Sequence, residues 1–295
     1  MGTRKGFTLI ELLIAMVLFL IVGSAVFSLL TNTQRVSRAQ AEHADMQSNM
    51  RAGALIVPAD LRMIGYDFFD APGTTPTPGV VNSDILGMAA DSIAFRAIRS
   101  SGAICNLMAN AVVVDTNGFY SGYRVPQQGR DGLMIYAELN PKDGADDLWL
   151  RRQITGNPGV GLCTVLGFAG RPGLTIPIAD VAPGDSILLG APVHTFEVMA
   201  YKLIQSDGRW WLGARSISAG EAGYQPMLGP LASNGFRLEY RDANGALTAV
   251  PAQVRTVEVT LLAESDSRVT GTGYGSQNII TDSVVTRVAL RNSMR

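Results

Sequence analysis

The sequence has few cysteines and few charged side chains, and each shortage excludes a class of protein. Its two cysteines, Cys105 and Cys163, are too few for a disulfide scaffold and lack the paired spacing of a zinc site. Charged residues make up 17% of the chain and the formal net charge is −1, so no overall basic field attracts a polyanion. Nucleic acid is therefore not an expected partner.

Motifs of catalytic and nucleotide-binding sites are also missing. His43 and His194 occur without an HExxH pattern, and the sequence contains neither GxSxG nor a Walker loop. The glycine-rich stretches 156–161 and 271–275 lack the spacing of a nucleotide loop, so we interpret both as turns. We expect no enzymatic activity and no cofactor.

Three local features have both a structural and a binding interpretation. Cys105 and Cys163 form either one disulfide, which an oxidising compartment favours, or two separate buried thiols. One ring of the pair Trp210-Trp211 should face outward, where it packs on the sheet or binds a partner. The third feature is an acidic segment, which forms either a solvated hairpin turn or a weak calcium site. The candidate calcium ligands are Asn140, Asp143, Asp146 and Asp147.

The N-terminus is the most informative part of the sequence. Residues 1–6 are short and basic, and residues 7–30 form an apolar stretch that is long enough to span a bilayer, which takes roughly 20 helical residues. Arg4 and Lys5 should remain in the cytoplasm, which places residues 31–295 on the outer side. The sequence thus predicts an inner-membrane anchor with its N-terminus in the cytoplasm.

Glu11 is unusual because it lies within this apolar stretch. Insertion of a carboxylate at mid-membrane costs about 2.5–3.5 kcal/mol of free energy, and less near the interface. We therefore expect Glu11 to have a binding partner or a functional role. An ordinary secretory signal would also end in a small-x-small cleavage site, which is not clear here. A plain signal anchor that happens to contain a glutamate is the simple alternative.

The segment Gly6-Phe7-Thr8-Leu9-Ile10-Glu11-Leu12-Leu13-Ile14-Ala15-Met16 resembles the class III signal of type IV pilins and type II secretion pseudopilins. The resemblance implies that a prepilin peptidase cuts between Gly6 and Phe7 and methylates the new N-terminus of Phe7. It also implies that Glu11 pairs with the N-terminal amine of a neighbouring subunit in the filament core. Many major pilins carry a proline late in the apolar stretch. The corresponding segment of this sequence, Gly23-Ser24-Ala25-Val26-Phe27-Ser28, contains no proline.

Residues 31–66 continue as a polar but periodic segment. One stripe at helical spacing comprises Val36, Ala39, Met46, Met50, Ala54, Val57, Leu61 and Ile64. We expect this stripe to pack on a following sheet; a coiled-coil seam is the alternative. Pro58 should kink the helix or end it one turn early, and Gly65 is a plausible stop. Residues 49–67 resemble the corresponding stretch of PilW-type minor pilins and J-type pseudopilins.

Residues 67–295 read as a β-rich head. Short apolar runs such as Ser186–Leu189 alternate with turns and are strand candidates. The clearest hairpins are Thr195–Gln205 with Arg209–Ser216 and Phe236–Arg241 with Ala246–Val250. A long N-terminal helix on an antiparallel sheet makes an α+β protein. Landmarks such as Asp91-Ser92-Ile93-Ala94-Phe95 extend the resemblance to PilW-type chains over the head.

The resemblance implies a minor pilin that primes pilus assembly, in a complex at or near the tip, and so serves twitching motility or adhesion. Its implied partners are the prepilin peptidase, other major and minor pilins, the inner-membrane assembly platform and a tip adhesin. It implies an inner-membrane location before assembly and the pilus or cell surface afterwards. A J-type pseudopilin of a type II secretion system is the alternative, and a DNA-uptake or surface-binding pilin is a third reading.

Overall fold

The computed structural model describes residues 8–64, 84–116, 121–122, 124–138, 142, 148–165, 167, 169–179, 187–266, 268–270 and 277–290. The chain divides into two compact units. Unit 1 comprises Met1–Ser48 and Glu264–Asp282, whereas unit 2 comprises Asn49–Ala263 and Ser283–Arg295.

One long α-helix, α1 (Leu9–Leu61), begins in unit 1 and ends in unit 2. Its apolar first part passes directly into the amphipathic part without a break. From Met46 onward the predicted stripe is buried except for Ala54, which is half-buried, whereas Val36 at its start is 50% exposed. The helix accordingly has one section that is exposed and one that belongs to a core.

The helix ends earlier than its periodicity alone predicts. It stops at Leu61, one turn after Pro58, and the position expected for the stop, Gly65, lies outside the described residues. The amides of Arg62 and Met63 donate to the carbonyls of Pro58 and Asp60, both at 3.0 Å. These bonds occupy two of the carbonyls that a helix end leaves without partners.

The last turns of α1 lie against the sheet in unit 2 at a glycine. A Cβ built on Gly53 would lie 2.4 Å from Leu228 Cδ2 and 2.7 Å from Leu261 Cδ1. Asn49, one turn earlier, donates from Nδ2 to the carbonyl of Gly229 at 3.0 Å. The absence of a side chain at position 53 thus lets the helix backbone approach the sheet closely.

The described residues after the helix form fifteen strands. They are β1 (Ile85–Met88), β2 (Ser92–Met108), β3 (Ala111–Asp115), β4 (Ser121–Gly122), β5 (Asp131–Ala137), β6 (Leu148–Gln153), β7 (Gly159–Leu162), β8 (Pro172–Pro177), β9 (Pro192–Ser206), β10 (Arg209–Ser216), β11 (Gln225–Arg241), β12 (Thr256–Glu264), β13 (Val269–Thr270), β14 (Gln277–Asn278) and β15 (Thr281–Ala289). A short 3₁₀ turn, Pro251–Gln253, lies between β11 and β12.

Thirteen of these strands form one large antiparallel sheet. Its main path is β15-β12-β11-β10-β9-β2-β3-β8-β7. β1 and β4 pair with β2, and β5 pairs with both β9 and β6. The long helix and this sheet confirm the predicted α+β class.

The β9–β10 hairpin follows the sequence closely. Arg209 pairs with Ser206, which leaves Asp207 and Gly208 as a two-residue loop. Both loop residues have positive φ angles, 50° and 75°. A type I′ turn requires this geometry, and it matches the right-handed twist of the flanking strands.

Three assignments from the sequence are wrong. Ala246–Val250 is no strand and contributes only an isolated bridge between Arg241 and Leu247. The predicted strand at Ser186–Leu189 is absent at its described residues. The glycine-rich stretch 156–161 is not only a turn, because its end belongs to β7; a Cβ on Gly161 would lie 2.2 Å from Thr175 Oγ1, so glycine is what permits this strand pairing.

The core of unit 2 includes a cluster from several strands of the sheet. Its fully or nearly fully buried members are Ile104, Val112, Val114, Leu133, Ile135, Ile154, Ile176, Ile178, Ala191 and Val193. The residues between these members are buried as well, Val113 on β3 and Met134 on β5, so β3 and the middle of β5 are covered on both faces. This cluster fixes the strands that carry the charged residues described below.

In unit 1, the segment after β12 returns to the helix. The amide of Asp266 donates to Glu42 Oε2 at 2.9 Å. Ser265 and Ile280 exchange two bonds, from Ser265 N to Ile280 O at 2.8 Å and from Ile280 N to Ser265 Oγ at 3.0 Å. The short pair β13–β14 lies within this segment.

Candidate functional site

Helix α1 begins with a capping box formed by Thr8 and Glu11. The Thr8 amide and hydroxyl both donate to Glu11 Oε2 at 2.9 Å, and the Glu11 amide donates to Thr8 Oγ1 at 3.4 Å. Such reciprocal bonds occupy amide donors that the first turn of a helix leaves unpaired. Glu11 therefore has a local role, which the sequence signal Thr-x-x-Glu could have revealed.

The helix that follows this cap presents a continuous apolar surface. Its most apolar 18-residue window has a mean hydropathy of 2.8 and is entirely unburied. Phe19 and Phe27, for example, are 76% and 69% exposed. Because this much apolar surface is unfavourable in water, the helix is suited to lipid or to other apolar helices. Gly6 and Phe7 lie outside the described residues.

A second constellation lies in unit 2 around the buried carboxylate of Glu197 on β9. The carboxylate accepts from Arg99 Nε at 3.0 Å, Arg124 Nη2 at 3.0 Å and Arg130 Nε at 2.7 Å. Ser216 Oγ also donates to it at 2.6 Å. Although the Glu197 side chain is only 1% exposed, its charge is thus met from several directions, as a buried ion requires.

Two further carboxylates complete the cluster. Asp131, whose side chain is fully buried, binds both Nη atoms of Arg124 and accepts the amide of Gln127 at 2.7 Å. Asp60, from the last turn of α1, accepts Arg99 Nη1 at 2.9 Å and the hydroxyl of Tyr201. Three carboxylates and three guanidinium groups therefore alternate in one connected network.

The pKa shifts in this network favour the charged forms. Burial alone would raise the pKa of Glu197, but the bond from Ser216 and the charges of Arg99 and Arg130 lower it below its usual value. The bond to Asp131 raises the pKa of Arg124 further above its ordinary range. Glu197 and Arg124 are therefore both ionised at neutral pH. Through Asp60, Arg99 and Glu197, the network connects α1, β2 and β9.

His194 lies apart from this network. Its Nδ1 is 2.8 Å from Ser101 Oγ, and its ring lies 4.8 Å from that of Trp149. Burial lowers the pKa of His194 to about 4. The imidazole is therefore neutral at pH 7 and a weak base, which suits a packed side chain better than a proton acceptor.

The structure also locates the other residues singled out from the sequence. Cys105 and Cys163 are joined by a disulfide that spans 58 residues of sequence. Trp210 and Trp211 are both half-buried, and Gly229 packs against the Trp211 ring. The candidate calcium ligands Asn140, Asp143, Asp146 and Asp147 lie outside the described residues, and the described part of the chain contains no metal-binding cluster.

Sequence reasoning missed the charged network. Asp60 lies within residues 49–67, where the sequence shows only a family resemblance, and no motif singles out Arg99. A signal existed, because Arg96 and Arg99 interrupt an apolar run in the long strand β2. Arg99 is only 8% exposed, and a buried arginine almost always has an acidic partner.

Comparison with known proteins adds one positive finding. Residues 1–27 match the prokaryotic N-terminal methylation motif. The matched segment contains Phe7, the capping box and most of the apolar stretch. No curated protein and no solved structure matches the chain.

Proposed function

We propose that this chain is a minor pilin of a type IV pilus, one that takes part in priming pilus assembly. The observation that carries the proposal is the N-terminal methylation motif on an exposed apolar helix. This motif indicates a prepilin-like substrate of type IV pilus or type II secretion systems. The chain is consistent with a single-pass membrane-anchored protein.

The N-terminal segment serves two environments in this proposal. Before assembly, the apolar part of α1 lies in the inner membrane, with Arg4 and Lys5 on the cytoplasmic side and the head outside. After the prepilin peptidase cuts between Gly6 and Phe7, the same surface packs against the helices of other pilins. The same apolar surface is stable in both environments because lipid chains and the helices of other pilins are similarly apolar.

Glu11 connects these two states. In the single chain its carboxylate accepts two bonds from Thr8, so it is hydrogen-bonded while it lies near the membrane interface. In the filament it pairs with the amine of Phe7 from a neighbouring subunit. Opposite charges in a medium of low dielectric attract strongly, so this second partner favours the assembled state.

The remaining parts of the proposal concern partners and chemistry. An ATP-driven assembly platform extracts the subunit from the membrane, and a tip adhesin is a further partner. We assign no catalytic step to this chain, since its buried acids are committed to arginines. The twitching or adhesion that depends on the pilus is an activity of the whole filament.

The decisive experiment is mass spectrometry of the mature protein purified from cells that contain a prepilin peptidase. We expect an N-terminus at Phe7 carrying a methyl group, and we expect Gly6→Glu to block cleavage. A mature chain that still begins at Met1 or Gly2, with Phe7 internal, would overturn the proposal.

Filament incorporation tests the role of Glu11 separately. Glu11→Val should leave membrane insertion intact and reduce the amount of the protein in sheared pili. Asp45→Val is a matched control, because Asp45 is an exposed acid on the same helix beyond the apolar stretch. Deletion distinguishes the two systems: loss of twitching supports the pilus, whereas loss of enzyme secretion supports a J-type pseudopilin.

A further inference from the structure

A cleft of about 450 Å³ opens on unit 2 next to the charged network. It lies where β6, β5, β9 and β2 run side by side in that order. Among the described residues, its charged lining consists of one acid, Asp131, and the four arginines Arg96, Arg130, Arg151 and Arg152. Positive side chains therefore surround it on several sides.

Apolar residues also line the cleft. Gly132 on β5 pairs directly with Phe196 on β9, and a Cβ at Gly132 would lie 2.3 Å from Phe196 Cζ. The phenyl ring thus lies across the glycine and occupies the space of a side chain. Val198 extends this apolar surface along β9.

Two of the four arginines have acidic partners, Arg96 with Asp84 and Arg130 with Glu197. The side chains of these two acids are 1% exposed, so guanidinium groups rather than carboxylates are accessible in the lining. The Asp131 side chain is 0% exposed, and its oxygens are occupied by Arg124 and the Gln127 amide. Arg130 is 38% exposed and uses its Nε for Glu197. A guanidinium group has five donors in a fixed fork, so one such bond holds the side chain in place and leaves further donors on the same group.

Other bonds hold the side chains of Arg96 and Arg152. Arg96 Nη1 donates to Asp84 at 3.0 Å, and Arg152 Nη1 donates to the carbonyl of Arg151 at 3.0 Å. Side chains that are already held lose less conformational freedom when a ligand binds. The cleft is thus charged and largely pre-organised.

The geometry points to a binding site for an oxyanion, a phosphate or carboxylate group, on a ligand whose body rests against Phe196. Arginine is the residue best matched to such groups, because its planar fork forms two parallel hydrogen bonds with them. The ligand is either a phosphorylated compound or an acidic sugar, and both present the same chemistry. This inference does not depend on the proposed function, since every residue of the cleft lies in unit 2.

Isothermal titration calorimetry of the full chain in detergent tests the site. Inorganic phosphate and glucuronate are titrated separately at constant ionic strength, against sodium chloride as the blank. We expect saturable binding. The anion that binds with the lower Kd indicates whether the ligand is a phosphorylated compound or an acidic sugar. Failure of both anions to bind saturably would overturn the inference.

Variants separate the cleft from general attraction by positive charge. Each charged hydrogen bond contributes about a factor of ten, so Arg151→Gln combined with Arg152→Gln should weaken binding about tenfold if one of these arginines holds the anion and about a hundredfold if both do. Arg237→Gln combined with Arg287→Gln removes the same charge from side chains that are 65% and 72% exposed and do not line the cleft. An equal loss of affinity in this control would contradict a specific site.

A second pair of variants keeps the net charge. Arg151→Lys with Arg152→Lys removes the planar forks only, so it is a mild change if the glutamine pair proves unstable. We expect affinity below that of the unmodified chain. Unchanged affinity would show that these two arginines do not hold the anion.

Discussion

Arg99 Nη1 donates to Asp60 Oδ1 at 2.9 Å, and through this bond the last turn of α1 is joined to strand β2. The same guanidinium binds Glu197 on β9 through its Nε. Arg99 is 8% exposed, so loss of either acid leaves a buried positive charge with less compensation. The end of the helix is therefore a structural part of unit 2.

Removal of the Asp60 carboxylate should destabilise unit 2. Asp60→Ala deprives Arg99 and Tyr201 of an acceptor, so we expect the free energy of unfolding to fall by about 1–3 kcal/mol. Urea titration of the full chain in detergent, followed by tryptophan fluorescence, measures it. Asp45→Ala removes an exposed acid from the same helix and should change stability by less than about 0.5 kcal/mol. Equal effects of the two variants would refute a special role for Asp60.

Glu197→Gln should have a larger effect, because three arginines and Ser216 meet this carboxylate. We expect a loss of about 3–5 kcal/mol at pH 7. The folded pKa of Glu197 lies below its ordinary value, so its contribution is complete above about pH 4.5 and is lost as pH falls further. The variant should therefore approach the unmodified chain in stability as the solution becomes more acidic.

The control for Glu197 is Glu239→Gln on β11, whose side chain is 30% exposed and pairs with Arg241 at 2.7 Å. An exposed pair of this kind contributes up to about 1 kcal/mol. Asp60→Ala and Glu197→Gln share Arg99 as a partner, so their combined effect should differ from the sum of the single effects. Strict additivity would show that the network is not coupled.

Loss of the disulfide should weaken the head. Replacement of both Cys105 and Cys163 by Ala should lower the free energy of unfolding by about 2–4 kcal/mol, because the unfolded chain regains the freedom of a long closed loop. Denaturant unfolding of the oxidised and reduced protein provides the measurement, and intact mass verifies the redox state. A reduced protein as stable as the oxidised one would exclude this contribution.

His194 should make stability depend on pH between about 6.5 and 4. Burial lowers its folded pKa to about 4, whereas the unfolded side chain titrates near 6.5. The unfolded state binds the proton first as pH falls, so up to about 3 kcal/mol is lost across this window and nothing is lost above it. His194→Asn should flatten the slope, while His43→Asn, at an exposed helix position, should leave it in place.

Much of the architecture is local in origin and could be predicted from the sequence. The hairpin at Asp207-Gly208 is encoded by two residues that tolerate positive φ. Helix α1 is encoded by an uninterrupted apolar run followed by a stripe at helical spacing. The methylation motif at residues 1–27 is a linear signal that requires no tertiary structure to be read.

The missed features depend on distant pairings. The local sequence around Gly161 favours a turn. Gly161 belongs to a strand because β7 pairs with β8, whose Thr175 lies close to it. Arg99 and Asp60 are 39 residues apart, and no local pattern reports that they meet. The arginine cleft likewise combines residues from five separate parts of the chain.

The bridge between Cys105 and Cys163 also limits how far the protein can be stretched. A polypeptide extends by at most about 3.3–3.6 Å per residue. The disulfide closes a loop of 58 residues. When the chain is pulled at its two ends, this loop, about 200 Å of contour length, does not extend while the disulfide is intact. Under tension, the oxidised chain would therefore extend in a shorter step when it unfolds, and reduction of the disulfide would add the remaining length.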